Sequence, residues 1–223
     1  MNVDLFERLT GYPFQQTELL EQALTHRSFS KNCNNERLEF LGDSVLGVVI
    51  SARIYQKHPK ASEGELSRLR ASLVKEETLS RIASRFNIGD LINLGGGELK
   101  SGGFRRHSIL SDTIEALIGA VYLDGGLEAS QAVIFRFFED ELQQLPDAES
   151  LKDPKTRLQE YLQAKQLDLP EYRLVKTTGK AHDQFFTVTC FLESLNHSAS
   201  GQGSSRKKAE QNAASEILKK LQI

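Results

Sequence analysis

The sequence predicts an all-α N-terminal domain followed by a small α+β domain whose elements run α-β-β-β-α. Over residues 1–145, apolar side chains recur at helical spacing and strand patterns are rare. A polar segment with a proline near each end, residues 144–154, then indicates a linker. After it, residues 171–178 alternate between polar and apolar side chains. Residues 184–193 are rich in β-branched and aromatic ones, which is typical of a strand.

The helices of the first part are predicted from amphipathic spacing, as in Leu66, Leu69 and Leu73. The predicted segments are residues 2–9, 16–28, 35–58, 63–74, 76–86, 108–123 and 127–144. The glycine-rich stretch at 94–104, LGGGELKSGGF, is predicted to be a mobile surface loop. A phosphate-binding P-loop is not favoured there, because that motif needs a glycine where Leu99 precedes its lysine.

The second part is predicted to begin with an amphipathic helix over residues 154–166. A third short strand fits Asn196–Gly201, and Ser204 or Ser205 then caps a helix that runs to the end of the sequence. The predicted divisions are residues 1–145 for the first domain, 146–152 for the linker and 153–223 for the second domain.

Composition excludes several classes of protein. Apolar residues make up 39% and charged residues 26%, which is typical of a globular chain. No apolar run is as long as a membrane span, and the first residues lack the pattern of a signal peptide. Cys33 and Cys190 have no CxxC partner, so neither a zinc site nor a disulfide framework is expected. We therefore expect a protein of the reducing cytoplasm.

Charge is divided unevenly along the chain. Residues 1–152 hold 17 Lys and Arg against 22 Asp and Glu, whereas residues 153–223 hold 11 against 8. The net charge of −2 alone does not suggest a nucleic-acid partner. An acidic first part and a basic last part indicate separate tasks.

Acidic residues interrupt two helices that are otherwise apolar. Glu36, Glu39 and Asp43 are spaced three and then four residues apart, which places them on one face of a helix. Asp112 and Glu115 are three apart on another. Burying such acids is costly unless a positive charge compensates.

If the two helices pack together, four carboxylates could converge, and a divalent cation would remove their repulsion. Oxygen ligands without a nearby histidine pair favour Mg²⁺ or Mn²⁺. Two alternatives stay open at this point: an ordinary solvated face, or pairing with Arg37, Arg68 or Arg70.

Several long motifs carry a family resemblance. The stretch NERLEFLGDSVL at 35–46 resembles the signature of the ribonuclease III family, and EGELSRLRASLV at 63–74 continues the match. The segments at 94–124 and ALTHRSF at 23–29 are similar as well. The resemblance covers nearly the whole chain. It implies the ribonuclease III fold and a magnesium-dependent endonuclease that cuts double-stranded RNA.

By position, the resemblance implies that the metal-binding acids are Glu39, Asp112 and Glu115, and that Asp43 and Glu115 are catalytic. Mn²⁺ is expected to substitute for Mg²⁺. Metal ions held by carboxylates can activate water, neutralise the phosphate and stabilise the leaving oxygen. The expected products carry 5′-phosphates and 3′-hydroxyls with short 3′ overhangs. His26 and His107 remain candidates for general acid–base work, and a structural role is the alternative.

The resemblance also implies supporting acids and a homodimer. The supporting acids, at the site or at a second metal, match Glu36 and Glu63, and the aromatic residue of the dimer interface matches Phe40. Phe40 points about 100° away from its neighbour Glu39 around the helix, which permits separate roles. An ordinary core position is the alternative for Phe40. Expected substrates are ribosomal RNA precursors, together with some messenger and transfer RNA precursors.

The second domain resembles the double-stranded-RNA-binding domain. Duplex RNA is recognised through its shape, 2′-hydroxyls and phosphates. The predicted RNA contacts are Thr156, Gln159, Glu160, Gln163, His182, Arg206, Lys207 and Lys208. Glu210 stands where many such domains carry a lysine, and Lys208 is expected to compensate.

Two other functions compete with this interpretation. One is a non-catalytic double-stranded-RNA-binding protein that uses the nuclease fold only as a dimer scaffold. The other is a helical interaction protein with a small α+β appendage, which leaves the acids within the apolar helices unexplained.

Overall fold

A computed structural model describes residues 3–146, 151–179 and 184–222. The chain divides into two compact units, with the division between Leu151 and Lys152. Part of the predicted linker and the predicted RNA contact His182 lie outside the described residues. No helix in the part of the chain that the structure describes is both long and apolar enough to cross a membrane.

The first unit is helical, as the sequence predicts. Its helices are α1 (Val3–Thr10), α2 (Thr17–Ala23), α3 (Glu36–Lys57), α4 (Glu63–Val74), α5 (Glu76–Arg85), α6 (Gly96–Lys100), α7 (His107–Phe137) and α8 (Glu139–Gln143). Helix α7 is interrupted at Gly126, where φ is 78°. Gly126 lies in the gap between the two helices that the sequence predicts there, at residues 108–123 and 127–144. Helix α4 begins with a capping box at Ser62. The Ser62 hydroxyl accepts a hydrogen bond from the Glu65 backbone N–H, and the Glu65 carboxylate accepts one from the Ser62 backbone N–H.

Helices α3 and α7 pack against each other at very short range through two glycines. A Cβ atom on Gly42 would lie 1.7 Å from the carbonyl oxygen of Glu115, and one on Gly119 would lie 2.2 Å from that of Leu38. Only residues without a side chain allow the two backbones to approach this closely. The buried side chains of Leu46, Ile50 and Leu117 continue the same core.

Two predictions in the first unit were wrong in detail. Helix α2 ends at Ala23 and not near residue 28, because the next residues pair with the chain around Asn93. The N–H of Asn93 donates to the Leu24 carbonyl at 2.8 Å, and the N–H of His26 donates to the Asn93 carbonyl at 3.1 Å. The glycine-rich stretch is also not a structureless loop, since it contains α6 and a short 3₁₀ helix at Gly103–Arg105.

The second unit has the predicted α-β-β-β-α order. It consists of α9 (Pro154–Ala164), β1 (Glu171–Thr178), β2 (Phe185–Leu192), β3 (His197–Gly203) and α10 (Arg206–Leu221). The strands form an antiparallel sheet in the order β1-β2-β3, with a register shift between Leu174 and Lys176. Buried side chains from α9, the sheet and α10 form a separate core, including Leu158, Cys190 and Ile217.

Both α-helices of the second unit begin at a side-chain cap. Asp153 accepts a hydrogen bond from the Thr156 N–H at 3.1 Å, and Pro154 stands in the first turn, where its missing N–H costs nothing. Ser205 caps α10 by accepting from the Lys208 N–H at 3.1 Å, which settles the choice between Ser204 and Ser205.

Candidate active site

Three carboxylates from two helices meet where α3 packs on α7. Glu39 lies on α3, and Asp112 and Glu115 lie one turn apart on α7. One carboxylate oxygen of each lies within 4.8 Å of the other two, and all three residues are half-buried. The glycine contacts between the two helices hold these side chains at this distance.

The pKa of each of these carboxyls is raised, because partial burial disfavours the charged form and neighbouring acids repel it. Burial raises the pKa of Glu39, and Asp112 and Glu36 raise it further. Burial also raises the pKa of Asp112, although a hydrogen bond from Ser111 opposes the shift. For Glu115, burial followed by repulsion from Asp43, Glu39 and Asp112 raises the pKa to about 8.

This donor set fits a divalent metal ion. Its ligand atoms are carboxylate oxygens, which hard cations such as Mg²⁺, Mn²⁺ and Ca²⁺ prefer. Arg27 pairs with Glu36 at 3.3 Å and also acts to lower the pKa of Glu39 and Asp112, but the pKa of both carboxyls remains raised. The raised pKa values reflect a negative charge that a cation at this position would stabilise.

Asp43 and Glu36 flank the three-carboxylate group on α3. Asp43 is exposed and lies close enough to Glu115 to raise its pKa. Glu36, in the first turn of α3, lines the same cleft as Glu39 and Asp112. Among the described residues, the sequence-predicted convergence of four acids is therefore a group of three with Asp43 beside it.

An open cleft of about 700 Å³ leads to this group. Three cations line it, namely Arg27, Lys31 and Arg106, together with the acid Glu98. Glu98 lies on α6 and pairs with Arg106 at 3.0 Å. Sequence reasoning missed both residues because the glycine-rich stretch was interpreted as a loop. An acid within that stretch and two arginines directly after it were the available signal.

The two candidate histidines occupy different surroundings. His26 lines the cleft, and its Nδ1 lies 2.8 Å from the hydroxyl oxygen of Ser28. Burial lowers the pKa of His26, and Glu98 partly opposes this. His107 lines a different cavity, together with Asn87 and Asp90. Only His26 therefore lies in the same cleft as the metal-binding candidates.

Phe40 and Glu63 lie outside the three-carboxylate group. The Phe40 side chain is 78% exposed, so it is not a core residue of a single chain. Val48 and Tyr55 are exposed at helical spacing along the same helix. Glu63, at the start of α4, lines a cavity with Tyr55 and accepts a hydrogen bond from Ser67 at 2.8 Å.

The predicted RNA contacts of α9 share one exposed face. Gln159, Glu160 and Gln163 are exposed, and Thr156 is half-buried at the start of the helix. The Thr156 hydroxyl donates to Asp153 at 2.8 Å, which leaves its lone pairs free to accept. Glu160 pairs with Lys152 at 2.5 Å.

The predicted phosphate contacts of α10 lie in its first turn. Arg206, Lys207 and Lys208 are all exposed there, where the helix dipole also favours an anion. Glu210 is turned away from solvent and accepts from Lys155 at 2.6 Å and from Arg206 at 3.0 Å. Its charge is therefore compensated within the domain.

Family models match both parts of the chain. Residues 16–142 match a family described as Ribonuclease-III-like, and residues 154–221 match the double-stranded RNA binding motif. A helical nuclease domain with a carboxylate cluster, joined to a domain that binds RNA duplexes, defines an endoribonuclease that acts on double-stranded RNA. The family of the first domain implies a divalent metal.

Curated relatives agree along the full length of the chain. A protein named Ribonuclease 3 from Histophilus somni is 51% identical over 223 residues, which is all of both chains. Another of that name from Shewanella denitrificans is 54% identical over 217 residues, covering 97% of this chain and 96% of that one. The chain belongs to the ribonuclease III family.

Solved structures resemble the first domain. One, from Campylobacter jejuni, is titled as showing structural flexibility in a region involved in dimer formation of the nuclease domain of its ribonuclease III. It has a TM-score of 0.61 and 45% identity, and covers 62% of this chain and 97% of that one. A second nuclease-domain structure from the same organism has a TM-score of 0.62 and 43% identity, and covers 65% of this chain and 99% of that one.

Proposed function

We propose that Glu39, Asp112 and Glu115 hold Mg²⁺, with Mn²⁺ as a substitute, and that Asp43 and Glu115 are the catalytic acids. The observation that carries the proposal is the convergence of three carboxylates from two helices, two of which, Glu39 and Asp112, line an open cleft. When bound, such an ion would supply activation of water for attack on the phosphodiester and neutralisation of the charge that develops on the phosphate. Glu36 and Glu63 are proposed as supporting acids.

The chain's own residues have defined tasks in this proposal. Arg27, Lys31 and Arg106 line the cleft and hold the phosphates that flank the scissile bond. Asp43, which is exposed and acts electrostatically on Glu115, is proposed to orient water and accept its proton. His26 positions the Ser28 side chain at the wall of the cleft.

Water attacks the phosphorus and the RNA 3′-oxygen leaves, so the products carry 5′-phosphates and 3′-hydroxyls, and the 2′-hydroxyl takes no part. Two centres cutting opposite strands leave short 3′ overhangs. The substrates are duplex regions of ribosomal RNA precursors and of some messenger and transfer RNA precursors, and the site of action is the cytoplasm.

A direct experiment tests the function. The full chain is incubated with a long RNA duplex, with and without Mg²⁺, and the product ends are mapped by their ability to be ligated and labelled. We expect cleavage only with Mg²⁺, with products carrying 5′-phosphates. Binding without cleavage in Mg²⁺ would instead favour the non-catalytic scaffold.

The protein is proposed to act as a homodimer through the exposed face of α3. Phe40, Val48 and Tyr55 form an apolar stripe on that helix that a single chain leaves uncovered. The Campylobacter jejuni nuclease domain, whose title refers to dimer formation, resembles this domain over nearly its whole length.

Phe40→Asp is therefore expected to convert the dimer to a monomer. An unpaired carboxylate at an apolar interface costs enough to weaken association by about a hundredfold. Sedimentation measured across a concentration series reports this shift. Leu169→Asp is the matched control, because Leu169 is an exposed leucine of the second domain. An unchanged dimer in Phe40→Asp would place the interface elsewhere.

RNA is proposed to contact the α9 face, with Thr156, Gln159, Glu160 and Gln163, and the first turn of α10. His182, outside the described residues, is proposed as a further contact. These groups recognise the shape and hydroxyls of the duplex and do not recognise its bases.

We expect Lys207→Ala combined with Lys208→Ala to weaken binding to every RNA duplex about equally. These side chains are exposed at the start of α10, where they neutralise phosphates. The affinity is expected to drop about tenfold or more. The slope of log affinity against log salt concentration should become shallower by about 2. Binding curves for several RNA duplexes and one matched DNA duplex test this. A loss confined to one RNA sequence would indicate base recognition.

A further inference from the structure

A network of polar contacts joins the start of α9 to the first two turns of α10. Gln211 accepts from the Lys155 backbone N–H at 3.0 Å and donates to Asp153, the cap of α9, at 2.7 Å. Lys155 extends its ammonium group to Glu210 at 2.6 Å. Arg206, in the first turn of α10, donates to the other oxygen of Glu210 at 3.0 Å.

Glu210 is the centre of this network. Its side chain is only 15% exposed, and both of its oxygens are occupied by cations from different helices. The hydrogen bond from Lys155 holds the pKa of Glu210 below its usual value, so the carboxylate is charged at neutral pH. The Lys155 ammonium also lies 4.4 Å from the centre of the Tyr172 ring on β1, which fixes its direction.

The two helices that Glu210 connects carry the proposed RNA contacts. The α9 face is placed for 2′-hydroxyls of a minor groove, and the first turn of α10 is placed for phosphates. A-form RNA has a fixed separation between these features, so both helices can bind at once only at a defined spacing. The inference rests on the proposed RNA contacts.

We propose that Glu210 is a positioning residue for duplex RNA: by holding Lys155 and Arg206 together, it fixes the spacing of the two RNA-binding helices. The acid at this position strengthens RNA binding although it adds a negative charge to a phosphate-binding surface. A purely electrostatic account predicts the opposite sign.

Substitutions at Glu210 separate the two accounts. We measure binding of the full chain to an RNA duplex of about 30 base pairs, longer than the roughly 16 that such a domain spans, with EDTA present to prevent cleavage. Glu210→Ala removes the network and is expected to weaken binding on the order of tenfold, the loss typical of a charge-assisted contact. Glu210→Gln keeps one acceptor oxygen but turns an NH₂ donor toward the other cation, so it should lose one of the two contacts and bind with an affinity between those of wild type and Glu210→Ala.

Glu210→Lys places a third cation against Lys155 and Arg206 and should bind more weakly than Glu210→Ala. If thermal unfolding shows that Glu210→Lys does not fold, Glu210→Ala decides the question. Binding equal to or tighter than wild type in folded Glu210→Ala overturns the proposal, because relief of negative charge would then dominate.

The matched control is Glu216→Ala on the same helix. Glu216 is an exposed acid that, among the described residues, forms its ion pair within α10, with Lys219 at 2.6 Å. Glu216→Ala makes the same change in charge as Glu210→Ala and should bind the RNA duplex within about twofold of wild type. The Lys207→Ala, Lys208→Ala variant tests the proposed RNA surface separately from the positioning role of Glu210. If it weakens binding and Glu210→Ala does not, only the positioning role is wrong. If it has no effect, the proposed RNA surface is wrong.

Discussion

Glu115→Gln is expected to lower the rate of RNA cleavage at least about a thousandfold while leaving duplex binding within about twofold. The amide keeps the shape of the side chain but removes one of the three carboxylates that converge where α3 packs on α7. A thousandfold loss corresponds to about 4 kcal/mol of transition-state stabilisation. Single-turnover cleavage of a labelled duplex in Mg²⁺ measures the rate, and binding in EDTA measures the affinity.

The control for this substitution is Glu18→Gln, which changes an exposed acid in the first turn of α2. It should cut at the wild-type rate. A Glu115→Gln protein that also cuts at the wild-type rate would mean that the three-carboxylate group is not the catalytic centre.

The same substitution should stabilise the metal-free protein in a way that depends on pH. Partial burial and three neighbouring acids raise the pKa of Glu115 to about 8 from an ordinary value of 4.5. Below pH 4.5 the carboxyl is protonated whether the protein is folded or unfolded, and it costs no stability. Between 4.5 and 8 the unfolded chain releases the proton first, so wild-type stability falls as pH rises.

The advantage of Glu115→Gln should therefore grow across that interval and be complete above about pH 8. After a discount for solvent screening, the gain in the free energy of unfolding is about 1 kcal/mol, or roughly 2–4 °C in Tm for a domain of this size. Thermal unfolding in EDTA at pH 5 and pH 9 measures it. An advantage that is the same at both pH values would indicate a cause other than the titration of this carboxyl.

Gly42→Ala is expected to have the largest effect on stability. Its Cβ would lie 1.7 Å from the Glu115 carbonyl oxygen, which belongs to backbone and cannot rotate away. Helices α3 and α7 must separate, at a cost of about 3 kcal/mol, or roughly 6–12 °C in Tm. The separation also moves Glu39 away from Asp112 and Glu115, so cleavage should fall about a hundredfold even at temperatures where the variant is folded.

Gly97→Ala provides the comparison, because a Cβ there would meet nothing within 4 Å. It should leave Tm unchanged or raise it slightly, since alanine favours a helix. Equal effects of the two substitutions would mean that the close approach of α3 and α7 does not control the site.

The sequence predicted the helical first domain, the order of the second, and the acids that converge. The acids were predicted because helical spacing places them on one face of each helix. In the structure, the close approach of α3 and α7 at Gly42 and Gly119 brings the two faces together. The predicted end of α2 was wrong. The residues that follow α2 pair with the chain at Asn93, about 70 residues further along, and local spacing carries no information about such a distant contact.

The remaining differences also arise from tertiary contacts. Glu98 and Arg106 line the cleft because the glycine-rich stretch folds into α6, and its composition favours a loop. Glu210 was an unexplained departure in the sequence. Its pairing with Lys155 became visible only when α9 and α10 were placed side by side.

The most direct test that the three carboxylates hold a divalent ion is a titration of Mn²⁺ into the full chain. Binding is measured by calorimetry or from the electron paramagnetic resonance signal of the free ion. Wild type and Glu18→Gln should bind the ion with the same affinity. Glu39→Gln, Asp112→Asn and Glu115→Gln, whose oxygens lie within 4.8 Å of one another, should each weaken binding at least about tenfold. Wild-type affinity in all three variants would contradict the account, because the ion would then bind elsewhere.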